Sequence, residues 1–160
     1  MLERLVSTRH GITLTILRVM LGIVFFPHGA QKMLGWFGGA GFSATMNSFV
    51  GQHIPEVFAF LAIAAEFFGS IGLIVGLLTR VAAFGIAVNM VVAVAKVHWA
   101  NGFFMNWTGR QRGEGFEFHL LVLTIATVIM MRGAGSFSLD RAMTRLLRAQ
   151  TGKPVHQNAS

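Results

Sequence analysis

The segment "PEVFAFLAIAAEFFGSIGLIVGLLTRVAAFGIAVNMVVAVAKVHW", Pro55–Trp99, decides the fold of this chain. Its charged residues are Glu56, Glu66, Arg80 and Lys96, and nearly everything between them is apolar or small. A helix needs about 20 apolar residues to cross the hydrocarbon of a bilayer. The segment holds two such stretches, about 55–78 and 80–99, joined by almost nothing, "LTR". They read as a tight helical hairpin. Working outward, two more apolar stretches flank it. One runs over about 12–34, "ITLTILRVMLGIVFFPHGAQKML", and the other over about 116–131, at the end of "GEGFEFHLLVLTIATVIMM". The expected fold class is all-α, a bundle of four transmembrane helices.

Composition agrees. The 160 residues allow one domain, about 1–150, with 151–160 expected as a disordered tail. Hydrophobic residues make up 54% and charged ones 12%, against roughly 25% charged in average soluble domains. So few charges cannot cover a soluble surface, and the lipid bilayer is the expected partner. The net charge of +7 comes from Lys and Arg that flank the apolar stretches, which is a topology signal and not a nucleic-acid footprint. Cysteine is absent, so disulfide exchange, thiolate metal sites and cysteine nucleophiles are excluded.

Arg4, Arg9, Arg80, Arg132, Arg141, Arg145, Arg148 and Lys153 fall on one side of the expected spans. Arg110 and Arg112 fall on the other, with Lys32 and Lys96 near that edge. Basic residues mark the cytoplasmic side, so both termini are expected there. The first span is long, holds Arg18 and shows no small-residue cleavage site, so it reads as a retained anchor. The outer loops, about 35–54 and 100–115, are rich in Gly and aromatics. In the first, "FSATMNSFV" reads as a short amphipathic helix at the membrane surface. Trp36, Trp99 and Trp107 sit on this side, as an interfacial belt or part of a lid. Near the C-terminus, Ser138 is positioned to cap a short cytoplasmic helix over about 138–149. Its Arg141, Arg145 and Arg148 suit anionic headgroups.

Charges inside a bilayer are costly and tend to face a bundle interior with a partner. The candidates are Arg18, His28, Lys32, Glu66, Asn89, Lys96, His98, Glu117 and His119. Arg18, Glu66 and Asn89 lie deepest along the spans, and the others fall in the outer third. At about 100° per residue, Arg18, Phe25, His28 and Lys32 share one face of the first span. Gly85, Asn89 and Lys96 share one on the third, and Glu117, Thr124 and Met131 one on the fourth. His98 projects opposite Asn89, and His119 opposite Glu117. The expected interior set is therefore Arg18, His28, Lys32, Glu66, Asn89, Lys96 and Glu117.

Each member also has a structural role open to it. The two lysines can snorkel, Glu66 can pair with Arg18 or a lysine, and a polar His28 can satisfy the carbonyl freed by Pro27. Gly69, Gly72 and Gly76 are the expected close-packing line of the second span. No HExxH or ExxH spacing marks a metal site, and none is expected. Haem needs two imidazoles facing each other, so it ranks behind an apolar slot for a quinone or similar ligand. In that slot His28, Lys32 or Lys96 would donate hydrogen bonds, and Glu66 or Glu117 would relay protons. Nothing in the chain carries electrons, so a redox role needs a bound cofactor or a second membrane or soluble redox subunit.

"RVMLGIVFFPHGAQKMLGWFGGAGFSATM", "AIAAEFFGSIGLIVGLLTR", "VHWANGFFMNWTGRQRGEGFEFHLL" and "GAGSFSLD" together resemble the DoxX family of small membrane proteins, over about Leu17–Asp140. The resemblance implies a four-helix bundle in a bacterial plasma membrane. It also implies one of several roles: a subunit of a quinone-linked oxidoreductase, or a non-catalytic membrane scaffold for oxidative-stress proteins. A small transporter is the third expectation, from the intramembrane charges. The resemblance transfers no catalytic residue set. Homo-oligomerisation is left open by the sequence.

Overall fold

The computed structural model describes residues 11–151. The N-terminal residues with Arg4 and Arg9, and the expected tail beyond Thr151 with Lys153, lie outside the described residues. The elements are α1 (Ile12–Leu34), a short turn of 3₁₀ helix (Trp36–Gly38), α2 (Gly41–Gly51), α3 (Glu56–Val75), α4 (Thr79–Ala93), α5 (Glu117–Arg132) and α6 (Leu139–Thr151). α4 runs on through a π turn, Val94–His98, and a 3₁₀ turn, Trp99–Asn101. The described residues contain no strand, and the fold is all-α.

Three helices are long and apolar enough to cross a membrane: Ile12–Leu34, Glu56–Val75 and Thr79–Asn101. α5 has 16 residues, which reach about 24 Å at 1.5 Å per residue, short of the roughly 30 Å of hydrocarbon. α1 lies chiefly along α3, α3 along α4 and α4 along α5, and α5 closes back on α1. Leu21, Phe25, Leu73, Ile86, Met90, Val122 and Ile129 fill the middle. The outward faces are as apolar as the core. Phe58, Phe68, Phe84, Leu121 and Met131 are all exposed, a surface suited to lipid and not to water.

Backbones approach closely where α1 crosses α3. A Cβ on Gly22 would stand 2.7 Å from the Ser70 carbonyl oxygen, and one on Gly29 2.6 Å from the Phe67 Cα. The tight line on this interface is thus Gly22 and Gly29 of α1. Of the expected line on α3, Gly69 has ordinary clearance to Ala82, while Gly76 (φ 73°) ends the helix and is closely packed, a Cβ there standing 2.5 Å from Ser138 Cβ.

The molecule has two unlike ends. At the hairpin end, the α3–α4 turn, the start of α1 and the α5–α6 link meet. Gly76 and Leu78 both have left-handed backbone there. The carboxylate of Asp140, 1% exposed, holds the turn by accepting Leu78 N–H at 2.7 Å and Thr79 N–H at 2.9 Å. Thr15 Oγ1 donates to the Ser136 carbonyl at 2.6 Å, which ties α1 to the link. As expected, Ser138 caps α6, accepting Arg141 N–H at 3.3 Å. At the loop end, "FSATMNSFV" is the heart of α2, with Thr45 buried and Phe42 edge-on to Phe60. The long 102–116 loop folds back so that Glu117 N–H donates to the Phe103 carbonyl at 2.9 Å.

Candidate functional site

The nine polar candidates do not form one cluster. Arg18 stands alone of them at the hairpin end, 1% exposed. Its Nε donates to the Ala134 carbonyl at 2.8 Å, Nη1 to Leu73 and Ile74 at 2.6 and 2.7 Å, and Nη2 to Phe137 at 2.5 Å. Asp140 adds a favourable charge nearby. This guanidinium gathers the last carbonyls of α3 and the α5–α6 link, where helix ends leave acceptors unsatisfied. Its contacts are those of a structural staple.

Mid-bundle, Lys32 of α1 forms an ion pair with Glu66 of α3. Of the partners open to Glu66, the structure selects Lys32. Asn89 of α4 completes the group, donating from Nδ2 to the Ala62 carbonyl at 2.8 Å and lying 3.5 Å from Glu66 Oε1. Gly29 makes the pairing possible, because it brings α1 against the backbone of Glu66 and Phe67. Glu66 is buried, while the Lys32 side chain is 28% exposed. Three helices therefore meet on one carboxylate.

His28 and Lys96, expected inside, are exposed. The sequence reading sets Glu117 on the interior face of α5 with Thr124 and Met131, and the structure corrects it. Thr124 and Met131 are exposed, and the buried face is His119, Val122, Ala126 and Ile129. Glu117 instead caps the loop, accepting Met105 N–H at 2.9 Å, and Glu114 accepts Asn106 N–H at 2.7 Å.

The largest departure concerns His98 and His119. Their ring centroids are 4.2 Å apart, across the α4–α5 seam. Counting by α-helix puts His98 opposite Asn89. The π turn over Val94–His98 adds one residue to the turn, and each added residue rotates the remainder of the helix by about 100°. That rotation swings His98 to the α5 side and carries Lys96 out to the surface. His98 Nδ1 lies 2.7 Å from the Glu114 carbonyl oxygen. A carbonyl can only accept, so Nδ1 carries a proton and donates it. His119 is 6% exposed, and its Nδ1 is buried without a hydrogen-bond partner. A buried polar atom left unpaired is costly and invites an explanation.

On the same seam lies an open apolar groove of about 500 Å³, lined by Val91, Val94, Ala95, Trp99, Leu120 and Leu123. Two lining residues, Trp99 and Leu120, are the chain neighbours of His98 and His119. Trp99 is stacked on Phe116, 5.4 Å between centroids and 11° from parallel. The α4–α5 seam thus carries an open apolar groove and, beside it but not in its lining, two closely set imidazoles, one with a buried unpartnered nitrogen. Asp140 and the meeting of the two histidines are not legible in the sequence. The one readable hint for Asp140 is its place at the close of "GAGSFSLD".

The sequence model of the DoxX family, described as DoxX, matches residues 13–99. A Bacillus subtilis protein named "Putative oxidoreductase CatD" is 28% identical over 125 residues, covering 78% of this chain and 82% of its own length. Two uncharacterized Haemophilus influenzae proteins are also similar. One is 32% identical over 130 residues (79% of this chain, 87% of its own) and the other 27% over 139 residues (85% and 86%). No solved structure matches. With its apolar helices and the family match over more than half its length, the chain is a membrane protein that belongs to the DoxX family.

Proposed function

We propose that this DoxX protein is a redox-linked membrane subunit that holds a quinone, or a similar small apolar carbonyl compound, in the groove at the loop end of the α4–α5 seam. The observation that carries the reading is the buried, unpartnered His119 Nδ1 beside His98, on the seam that the apolar groove follows. A ligand pocket of this kind is mostly apolar with a few placed polar groups. A quinone has that shape: a flat apolar ring with oxygens at its rim. One rim oxygen is the partner that His119 Nδ1 lacks, and Trp99 offers a ring face for stacking.

The two imidazoles also suit the protons. Oxidising a quinol releases two protons and two electrons. In this reading one proton passes to His98 Nε2 and the other to His119 Nδ1, since the carboxylates of Glu114 and Glu117 are already engaged with the loop. The electrons pass to a partner redox protein, since the chain itself has no carrier. The word oxidoreductase in the name of the Bacillus relative supports the same class.

In this reading α5 is the fourth span, supplemented by the aromatic residues Phe103, Phe104 and Phe116 that precede it, and the bundle sits in a bacterial plasma membrane. Arg80, Arg132 and Arg141 stand on or beside the elements that meet at the hairpin end, and the excess of basic residues on cytoplasmic loops favours that end as the cytoplasmic one.

The test is mass spectrometry of solvent extracts from gently purified protein, with Ala95→Phe and His119→Phe beside it. Near-stoichiometric quinone in the native chain, reduced about tenfold or more in both variants, supports the reading. Quinone retained equally in all three removes this site. Phospholipid alone in all three favours a non-catalytic scaffold.

A further inference from the structure

A second cleft lies at the opposite end of the molecule, and the quinone reading makes no use of it. It encloses about 250 Å³ and is lined by Phe137, Ser138, Arg141, Ala142 and Arg145. We propose that this cleft binds the headgroup phosphate of an anionic phospholipid.

The cationic wall comes first. Arg141 and Arg145 stand one helical turn apart, about 6 Å along α6, and the small Ala142 between them leaves room for a tetrahedral anion. Guanidinium forks are well matched to phosphate oxygens. The acid in this turn does not compete. The Asp140 carboxylate points away, with both oxygens on the amides of Leu78 and Thr79.

Rigidity comes second. Arg18 donates to the Phe137 carbonyl, Asp140 N–H donates to the Gly76 carbonyl at 2.8 Å, and Thr144 Oγ1 donates to the Asp140 carbonyl at 2.8 Å. The start of α6 is therefore bolted to α1 through Arg18 and to the end of α3 through Gly76 before any ligand arrives, which lowers the ordering cost of binding.

The apolar rim names the occupant. Phe137 is 81% exposed and has φ 52°, a left-handed conformation that a phenylalanine adopts at a cost. The buried Arg18 contact keeps its backbone in that state, with the ring thrust outward. Leu139 and Leu146 are exposed as well, at 48% and 65%. A free phosphate would use only the arginines. A phospholipid uses both halves: phosphate on Arg141 and Arg145, and the upper acyl chain along Phe137 and the leucines. Aromatic rings and basic helices at such a boundary are stabilised by headgroups.

The measurement is native mass spectrometry of the full chain in detergent, titrated with phosphatidylglycerol or phosphatidylcholine, and separately with phosphatidylglycerol plus millimolar inorganic phosphate. The native chain is expected to retain one phosphatidylglycerol in preference to phosphatidylcholine. Arg145→Gln, at an exposed position, is expected to weaken that binding about fivefold, and Arg141→Gln with Arg145→Gln about thirtyfold. Arg148→Gln, outside the cleft, is expected to leave it within about twofold. Equal losses from Arg148→Gln and Arg145→Gln would mean diffuse charge and overturn the site. So would equal retention of the two lipids. Full displacement by inorganic phosphate would make it a general anion site and not a lipid site.

Discussion

The two ends of the bundle bury polar groups in opposite ways. At the hairpin end, three nitrogens of Arg18 donate to carbonyls, and both oxygens of Asp140 accept backbone amides. At the loop end, His119 is buried too, yet its Nδ1 has no partner. Low dielectric strengthens a satisfied network and penalises an orphan. The first arrangement is what a fold needs, and the second is the observation on which the proposed ligand site rests. The hairpin end does have one orphan, the Thr79 hydroxyl. It is a neutral group with little acid–base chemistry, and Thr79 is not among the residues that line the cleft at that end. The Lys32–Glu66–Asn89 group lies between the extremes: it is paired, but Lys32 keeps a route to the surface.

The strongest way to break this contrast is Arg18→Leu. Four carbonyls, of Leu73, Ile74, Ala134 and Phe137, would lose a charged donor in a dry interior. Losing one partner of such a network costs about 3–5 kcal/mol, or a fall of about 10 °C in the melting midpoint in detergent. Arg18→Lys is expected to recover only part, since an ammonium cannot span the fork. Near-native melting of Arg18→Leu would show that the hairpin end is not the structural one.

A middle effect is expected at Glu66. Glu66→Gln leaves Lys32 without its counter-charge, but Lys32 is part-exposed and can snorkel away, so the loss is about 1–2 kcal/mol. Combining Glu66→Gln with Lys32→Met is expected to be milder than the sum of the two single changes, read as coupling in a double-mutant thermal-shift cycle. Additive losses would mean that the two side chains do not act on each other in the folded protein.

Much of the architecture is readable from the sequence because apolar runs are bounded by chain-breaking residues. Gly11 and Gly35 bracket α1, and Gly76 closes α3. Depth along the chain is only partly readable: Arg18, counted among the deepest with Glu66 and Asn89, sits at the hairpin end, while Lys32, counted in the outer third, reaches Glu66. Facing is less readable still. A uniform 100° count fails where the helix changes its hydrogen-bond spacing, and the π turn at Val94–His98 is such a place. It hides the meeting of His98 with His119 and sends Lys96 outward. On α5 the ambiguity is different. Glu117 and His119 stand on opposite faces, and only the loop amides of Met105 and Asn106 show that the acids are held by the loop. Asp140 is hidden by its setting. An acid in the first turn of a helix reads as a dipole partner in solvent, and the α3–α4 turn that covers it is more than 60 residues away.

The smallest change in stability separates the two ends most sharply, because its sign is reversed. His119→Phe removes the unpartnered Nδ1 and keeps a flat ring of similar size against His98 and Phe118. No hydrogen bond is lost, and a desolvation penalty of about 1–3 kcal/mol is relieved, offset in part by imperfect packing. The melting midpoint in detergent is expected to stay level or rise by about 2–4 °C, while quinone retention falls. His98→Phe is the matched control. It removes the donor to the Glu114 carbonyl, so it should lower the midpoint slightly even if the ligand is already gone. A His119→Phe protein that is less stable than native, by as much as Glu66→Gln, would mean that His119 already has a partner in the folded chain. The loop end would then be held by satisfied contacts, as the hairpin end is, and the reason to look for a ligand there would disappear.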